Sequence, residues 1–297
     1  MSMTLYMTRQ VISILTVFLL LTVISCNAEL ESEIDWKLDD YNDLLVVEAL
    51  ITNITETQHI FLSKTGPYLV NLPAEPVSDA IITVSDGFQT YTFTENEVNK
   101  GEYTSDRRFR GFPFSNYELH IKLAEPLNNQ AEYTAKAVMP DGIDLDTIIC
   151  EIYPMPDFGF DAGDEDRDTT ILSISYYGKE PDNPNNYYLS VISGSGFRGE
   201  KDIYDLIRFT DDQNNGSESD FILFVQNVGH GDTINFEIIS VERGYYDFIG
   251  NIQQMNQAGS AYSMSGPPAN AEGNIPGALG YFHASYISRK HGIARMK

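Results

Sequence analysis

The chain has 297 residues, of which 42% are hydrophobic and 12% aromatic; that is enough apolar matter for packed cores, so wholesale disorder is excluded. Acids outnumber bases 43 to 19 and leave a formal charge of −24. Such a field repels phosphate backbones, so nucleic acid is not an expected partner.

Met1 to Ser25 contain no acid and a single base, Arg9. The apolar run from Val11 to Ser25 is shorter than the roughly 20 residues a membrane-crossing helix needs, and it suits the apolar region of a secretory signal. It ends in Val23-Ile24-Ser25-Cys26, which resembles a bacterial lipobox. The resemblance implies cleavage before Cys26 and attachment of diacylglycerol to its thiol. Three buried acyl chains, at about 0.8 kcal/mol per methylene, would anchor the chain permanently. Residues 1–25 are therefore read as a lipoprotein signal peptide with Cys26 as the lipid-attachment site. Residues 26–42 are read as a tether: Glu29, Glu31, Glu33 and Asp35 precede the first base, Lys37, and their repulsion keeps the segment extended. Lipoproteins of the Bacteroidetes that reach the cell exterior have acids behind the acylated cysteine in a similar way, which implies an outer-membrane location facing outward. Cys150 is then left with no intrachain disulfide partner.

From Leu44 onward the apolar residues mostly recur with period two, and the mature chain is predicted to be mainly β. In chain order the predicted strands run from Leu44 to Thr52, Ala80 to Ser85, Thr90 to Thr94, Tyr117 to Leu123, Glu132 to Val138, Ile171 to Tyr177, Tyr187 to Ile192, Phe221 to Gln226 and Thr233 to Val241. Turn formers separate them, among them Asp86-Gly87, Asn99-Lys100-Gly101 and Asn214-Asn215-Gly216. One segment has helical spacing: Tyr245, Phe248, Ile249, Ile252 and Met255 share a face, with Gly259 as the stop. Gly250 inside it costs about 1 kcal/mol relative to alanine, so this helix depends on docking against a sheet, with its aromatic stripe as core.

Met139-Pro140-Asp141-Gly142 cannot easily continue a strand, and it marks the interior boundary. The predicted layout is a first β-sandwich at 43–140, a second antiparallel β domain with one short helix at 141–288 and a basic tail at 289–297.

Within the first part, Pro76-Val77-Ser78-Asp79-Ala80-Ile81-Ile82-Thr83-Val84, then Gly101-Glu102-Tyr103, then Tyr117-Glu118-Leu119-His120-Ile121 is similar to carboxypeptidase-regulatory-like and immunoglobulin-like sandwich modules of bacterial surface proteins. Further along come Ala131-Glu132-Tyr133-Thr134-Ala135, Met139-Pro140, Glu242-Arg243-Gly244-Tyr245-Tyr246 and the run from Gly273 to Phe282. Taken in this order with the lipobox, the whole mature chain resembles a domain-of-unknown-function family of Bacteroidetes outer-membrane lipoproteins whose genes often sit beside TonB-dependent receptors. The resemblance implies a location and a receptor partner, and it carries no catalytic residue.

No reaction is legible in the residues. Gly194-Ser195-Gly196-Phe197-Arg198-Gly199 matches G-x-G-x-x-G, but dinucleotide binding needs a following helix within a parallel βαβ unit, and another apolar run follows here. Asp164, Asp166 and Asp168 concentrate carboxylates as calcium sites do, yet Thr169 stands where the sixth-position glycine would be and Ser175 where the twelfth-position glutamate would be. The histidines His59, His120, His230, His283 and His291 lack ligand spacing. Asp144 and Asp146 share a strand face as solvent-facing charges, and Cys150 is a small core residue. The expectation is a non-enzymatic surface lipoprotein without metal or cofactor, acting as an accessory or ligand-capturing subunit for TonB-dependent uptake. The rival readings are a structural or adhesive surface module and a hydrolase using loop carboxylates.

Overall fold

The computed structural model describes residues 43–66, 73–154, 169–195, 197, 203–211, 218–226, 228–258 and 271–297. Cys26, the signal and the tether lie outside them. In chain order the strands are β1 (Leu45–Thr52), β2 (His59–Lys64), β3 (Glu75–Pro76), β4 (Ile81–Ser85), β5 (Thr90–Glu95), β6 (Glu102–Ser105), β7 (Asn116–Leu127) and β8 (Gln130–Val138). There follow β9 (Asp144–Pro154), β10 (Thr169–Lys179), β11 (Tyr187–Gly194), β12 (Ile207–Thr210), β13 (Glu218–Gln226), β14 (Thr233–Val241), the helix α1 (Arg243–Ala258) and β15 (Ala278–Met296). Period-two alternation becomes one-sided burial: β1 turns Leu45, Val47, Ala49 and Ile51 inward, and β7 does the same with Tyr117, Leu119, Ile121 and Leu123.

The protein is mainly β, built on an open mixed sheet with the order β12-β11-β14-β15-β1-β2-β6-β5-β4-β7-β8. The ladders are antiparallel except where β15 runs parallel to β1 along its first half and parallel to β9 at its end. β15 also carries β14, antiparallel, from Tyr286 to Ile293. β9 pairs with β10 and β10 with β13. One core lies inside the curl of β1, β2 and β4–β8 and takes Phe282 and Ala284 from β15. A second core lies between β9, β10 and β13 on one side and β11, β12 and β14 on the other, with Tyr176, Phe221 and Phe236 packed ring to ring. The core changes from the first to the second between Met139 and Ile143, but β15 passes through both, and residues 42–297 form one compact unit.

Residues 289–296, predicted as a basic tail, are ladder in the structure. Glu237 pairs in register with Arg289, whose Nε lies 3.3 Å from the Glu237 carboxylate, and Ala294 pairs with Cys150. Their charges face solvent while the backbone is bonded, a case that side-chain pattern alone does not reveal. Within the first core, the Tyr103 hydroxyl donates to Val77 O at 2.9 Å and accepts from Ala80 N–H at 3.0 Å. That satisfies a fully buried phenol and ties β6 to the Pro76-Val77 segment and Ala80.

Two asparagines continue the ladder of β15 where its neighbours stop. β1 ends at the register of Ser285, and just beyond it Asn53 accepts from Ile287 N–H at 2.7 Å and donates to Ile287 O at 3.2 Å. On the other edge the β14 ladder begins only at Tyr286. Ahead of it Asn274 accepts from Phe282 N–H at 2.9 Å, donates to Phe282 O at 2.7 Å and reaches Lys136 O of β8 at 3.1 Å. An amide is the side chain that offers one donor and one acceptor side by side, as a neighbouring strand does. Gly280, at φ +90°, sits so close to β1 that a Cβ there would lie 2.0 Å from Val47 O. Replacing Asn274 by alanine strands both backbone groups of the fully buried Phe282, and urea unfolding is expected to show a loss of about 2–3 kcal/mol. Asn274→Asp, which keeps only the acceptor, is expected to lose a comparable amount.

Candidate functional site

The side chains that β1, β2 and β15 turn away from the first core build a cleft with the help of α1. Register sets its floor: Glu48 lies opposite Phe61 on one side and beside Tyr281 on the other, while Leu50 lies beside His283. α1 packs its apolar face on β11, β14 and β15 through Phe248, Ile249, Leu189 and Val241. The helix can approach there because Gly250 leaves room for Arg208 of β12, whose guanidinium reaches Tyr246 O at 3.3 Å and Gln253 Oε1 at 3.2 Å; a Cβ at Gly250 would meet it at 2.2 Å. Gly250 thus exchanges helix propensity for docking.

The first turns of α1 overhang the β15 side of this floor. The Tyr245 ring stacks on His283 at 3.6 Å between centroids and 14° between planes, and Tyr245 and Phe248 lie 5.2 and 5.1 Å from Tyr281. Beyond them the cleft opens to about 1100 Å³, with Ile252 and Met255 on the helix wall. Its acidic lining is Glu48, Glu56 and Glu272, and among the described lining residues no lysine or arginine occurs; His59 also lines it, with Nδ1 2.8 Å from the Glu102 carboxylate. Burial, with Glu48 as the next cause, pushes the Tyr245 hydroxyl above its usual pKa. Burial also holds the His283 imidazole down at about 3, so it is neutral at physiological pH, with Nδ1 hydrogen-bonded to Ser285 Oγ at 2.8 Å. This pair has the composition of a base and a nucleophile, but Ser285 is fully buried and its hydroxyl cannot meet a substrate in the cleft.

Of the residues singled out in the sequence, Cys26 and the calcium candidates Asp164, Asp166 and Asp168 lie outside the described residues. The glycine fingerprint begins at Gly194 at the end of β11, whose neighbours β12 and β14 are both antiparallel, and a short 3-10 turn at Ile203–Asp205 follows; the βαβ setting that a dinucleotide needs is not there. Asp144 and Asp146 are exposed, and Tyr286 donates its hydroxyl to Asp144. Cys150 is buried, and burial pushes its thiol up to about 11. Among the described residues no group of three or more His, Cys, Asp or Glu is placed to hold a metal ion, and no helix is long and apolar enough to cross a membrane.

The helix forms where its spacing predicts, but its stripe divides. Phe248 and Ile249 are buried, Phe248 at the edge of the cleft, while Tyr245 and Ile252 face the cleft as well as the protein and Met255 lines it as an exposed side chain. Glu48, Phe61, Tyr281 and His283 were not singled out as a site in the sequence. The one signal was a lone acid inside the apolar Leu45-Val46-Val47-Glu48-Ala49-Leu50 strand.

Two measurements check these environments. A buried neutral histidine has a folded-state pKa below its unfolded value of about 6.5, so the unfolded chain binds the proton more readily and stability falls as pH drops from about 6.5 toward 3. The stability advantage of wild type over His283→Gln is expected to shrink by about 2–3 kcal/mol between pH 7 and pH 4; parallel curves would contradict the burial. Ellman's reagent is expected to leave Cys150 unmodified in the folded protein and to label it promptly in denaturant.

No curated protein matches the chain. Among solved structures it is similar, at 14% identity and a TM-score of 0.23, to a Ca²⁺-stabilized adhesin that helps an Antarctic bacterium reach out and bind ice; the match covers 69% of this chain, which spans 46% of the adhesin chain. A second likeness, at 6% identity and a TM-score of 0.18, is to the Fcho1 Mu homology domain of Danio rerio with bound Eps15 peptide, covering 85% of this chain and 94% of that one. Scores this low bear on neither fold nor function. The family model described as "Domain of unknown function (DUF4249)" matches residues 31–291, and the chain belongs to that family.

Proposed function

We propose that this protein is a lipid-anchored outer-membrane protein facing the cell exterior, held by Cys26, that captures a ligand without transforming it and serves as an accessory subunit of a TonB-dependent uptake complex. The observation that carries the reading is the cleft: about 1100 Å³ of space floored by one sheet and walled by aromatic rings, at the upper end of the size that ligand sites occupy. Rigid strands and a docked helix position its walls, which suits selective holding. The acidic residues behind Cys26 suit a solvated stalk that lets the folded unit stand off a membrane surface. Residues 43–140, read as an immunoglobulin-like module, would act as the rigid stem, since β1, β2 and β4–β8 supply most of one core, which Ile275, Phe282 and Ala284 complete.

In a host that processes lipoproteins, the wild-type chain is expected to incorporate labelled palmitate and to fractionate with the outer membrane, and protease treatment of intact cells is expected to remove it. Cys26→Ala is expected to lose the label and enter the soluble fraction. Purification in mild detergent is expected to bring down a β-barrel receptor. Recovery of the wild type unlabelled and freely soluble would overturn the anchoring. A lipidated protein that never brings down a barrel, with nutrient uptake intact and attachment lost in a deletion strain, would favour an adhesive role instead.

A further inference from the structure

The outward-facing acids of this sheet mostly have cationic partners. Glu118 lies 3.7 Å from Lys136, Glu132 lies 3.2 Å from Lys122 and Glu237 lies 3.3 Å from Arg289 Nε. The cleft departs from that pattern. Glu48 sits mid-strand between Phe61 and Tyr281, with Tyr245 near enough to feel its charge, and among the described residues it makes neither an ion pair nor a hydrogen bond. Cross-strand neighbours of an acid are usually chosen to neutralise it; here they are aromatic rings, one of them, Phe61, 46% exposed.

A second observation points into the same space. His283 lines the cleft beneath Tyr245, whose ring stacks on it at 3.6 Å, so the floor beside Glu48 presents aromatic faces, which attract a cation. The chemistry that satisfies this lining is narrow. An anion would meet Glu48, Glu56 and Glu272 with no lysine or arginine beside them. A hard metal ion wants six or more oxygens close together, and the described residues hold no such group. An organic cation is attracted both by the carboxylate and by the ring faces, and an apolar stem on it can lie along the helix wall.

We propose that the cleft binds the lysine or arginine side chain of a short peptide, with the cationic head against Glu48, its stem among Phe61, Tyr281 and Tyr245, and flanking apolar residues toward Ile252 and Met255. A peptide is favoured over a free small amine because the cleft's volume of about 1100 Å³ far exceeds what a bare ammonium group fills. The inference rests on the reading of this cleft as a capture site and is independent of the anchor and of any receptor.

Isothermal titration of the lipidated protein in detergent tests it with four probes: the acetylated tripeptide amide Phe-Lys-Phe, its norleucine and glutamate counterparts, and tetramethylammonium chloride. The lysine peptide is expected to bind at least tenfold more tightly than the norleucine peptide and to weaken with added salt, with no heat from the glutamate peptide. Glu48→Gln is expected to cost the lysine peptide about tenfold while leaving the norleucine peptide and the melting temperature unchanged; Glu118→Gln, away from the cleft, is expected to change neither. Equal affinity for lysine and norleucine peptides would overturn the cation inference and leave the capture reading standing. Binding of tetramethylammonium with silent peptides would overturn the peptide source, and silence of all four probes would overturn the inference outright, while capture would then be judged by what co-purifies.

Discussion

The backbone of β15 must be hydrogen-bonded on both edges along most of 19 residues, and the rest of the structure is arranged to meet that demand. β1, from the opposite end of the described chain, supplies one edge in parallel register, β14 supplies the other from Tyr286 onward, and β9 takes the last residues. Asn53 and Asn274 fill the two places where a neighbouring strand has ended. Because parallel neighbours cannot be joined by a tight turn, the chain between β1 and β15 has room for both cores, and the two cores become one unit through the strand they share.

The same strand explains why a cleft exists. Phe282, His283, Ala284 and Ser285 are all buried, which happens only if both faces are covered: the first core takes Phe282 and Ala284, and α1 covers His283 through Tyr245. α1 is anchored over β11 and β14 by Phe248, Ile249 and the Arg208 contact at Gly250, and its cover does not extend over β1 and β2. The outward faces of those two strands are therefore left as the floor of an open space, with Glu48 and Phe61 on it.

Legibility followed exposure. Strands with one wet face, such as β1, β4, β5, β7, β8 and β14, announced themselves by alternation, and α1 by its i, i+3, i+4 spacing. β15 did not: four buried residues in succession and then a charged stretch resemble neither template, so its end was read as a tail. β2 was not predicted, and β12 was missed because it has only four residues. The Gly273 to Phe282 run stood out in the sequence as distinctive; the structure gives the reason, since Asn274 and Gly280 serve contacts to β8, β15 and β1 that side chains of other shapes would break.

By itself the sequence determined the β class, the helix and its dependence on docking and the burial of Cys150, because each follows from local periodicity or from the few residues around it. Only the tertiary structure decided that, among the described residues, the last strand lies against the first, and that Glu48, Phe61, Tyr245, Tyr281 and His283 share one cleft. Those residues come from segments far apart in sequence, and strand register between distant segments is selected by the shape of the cores they enclose, which no local pattern encodes.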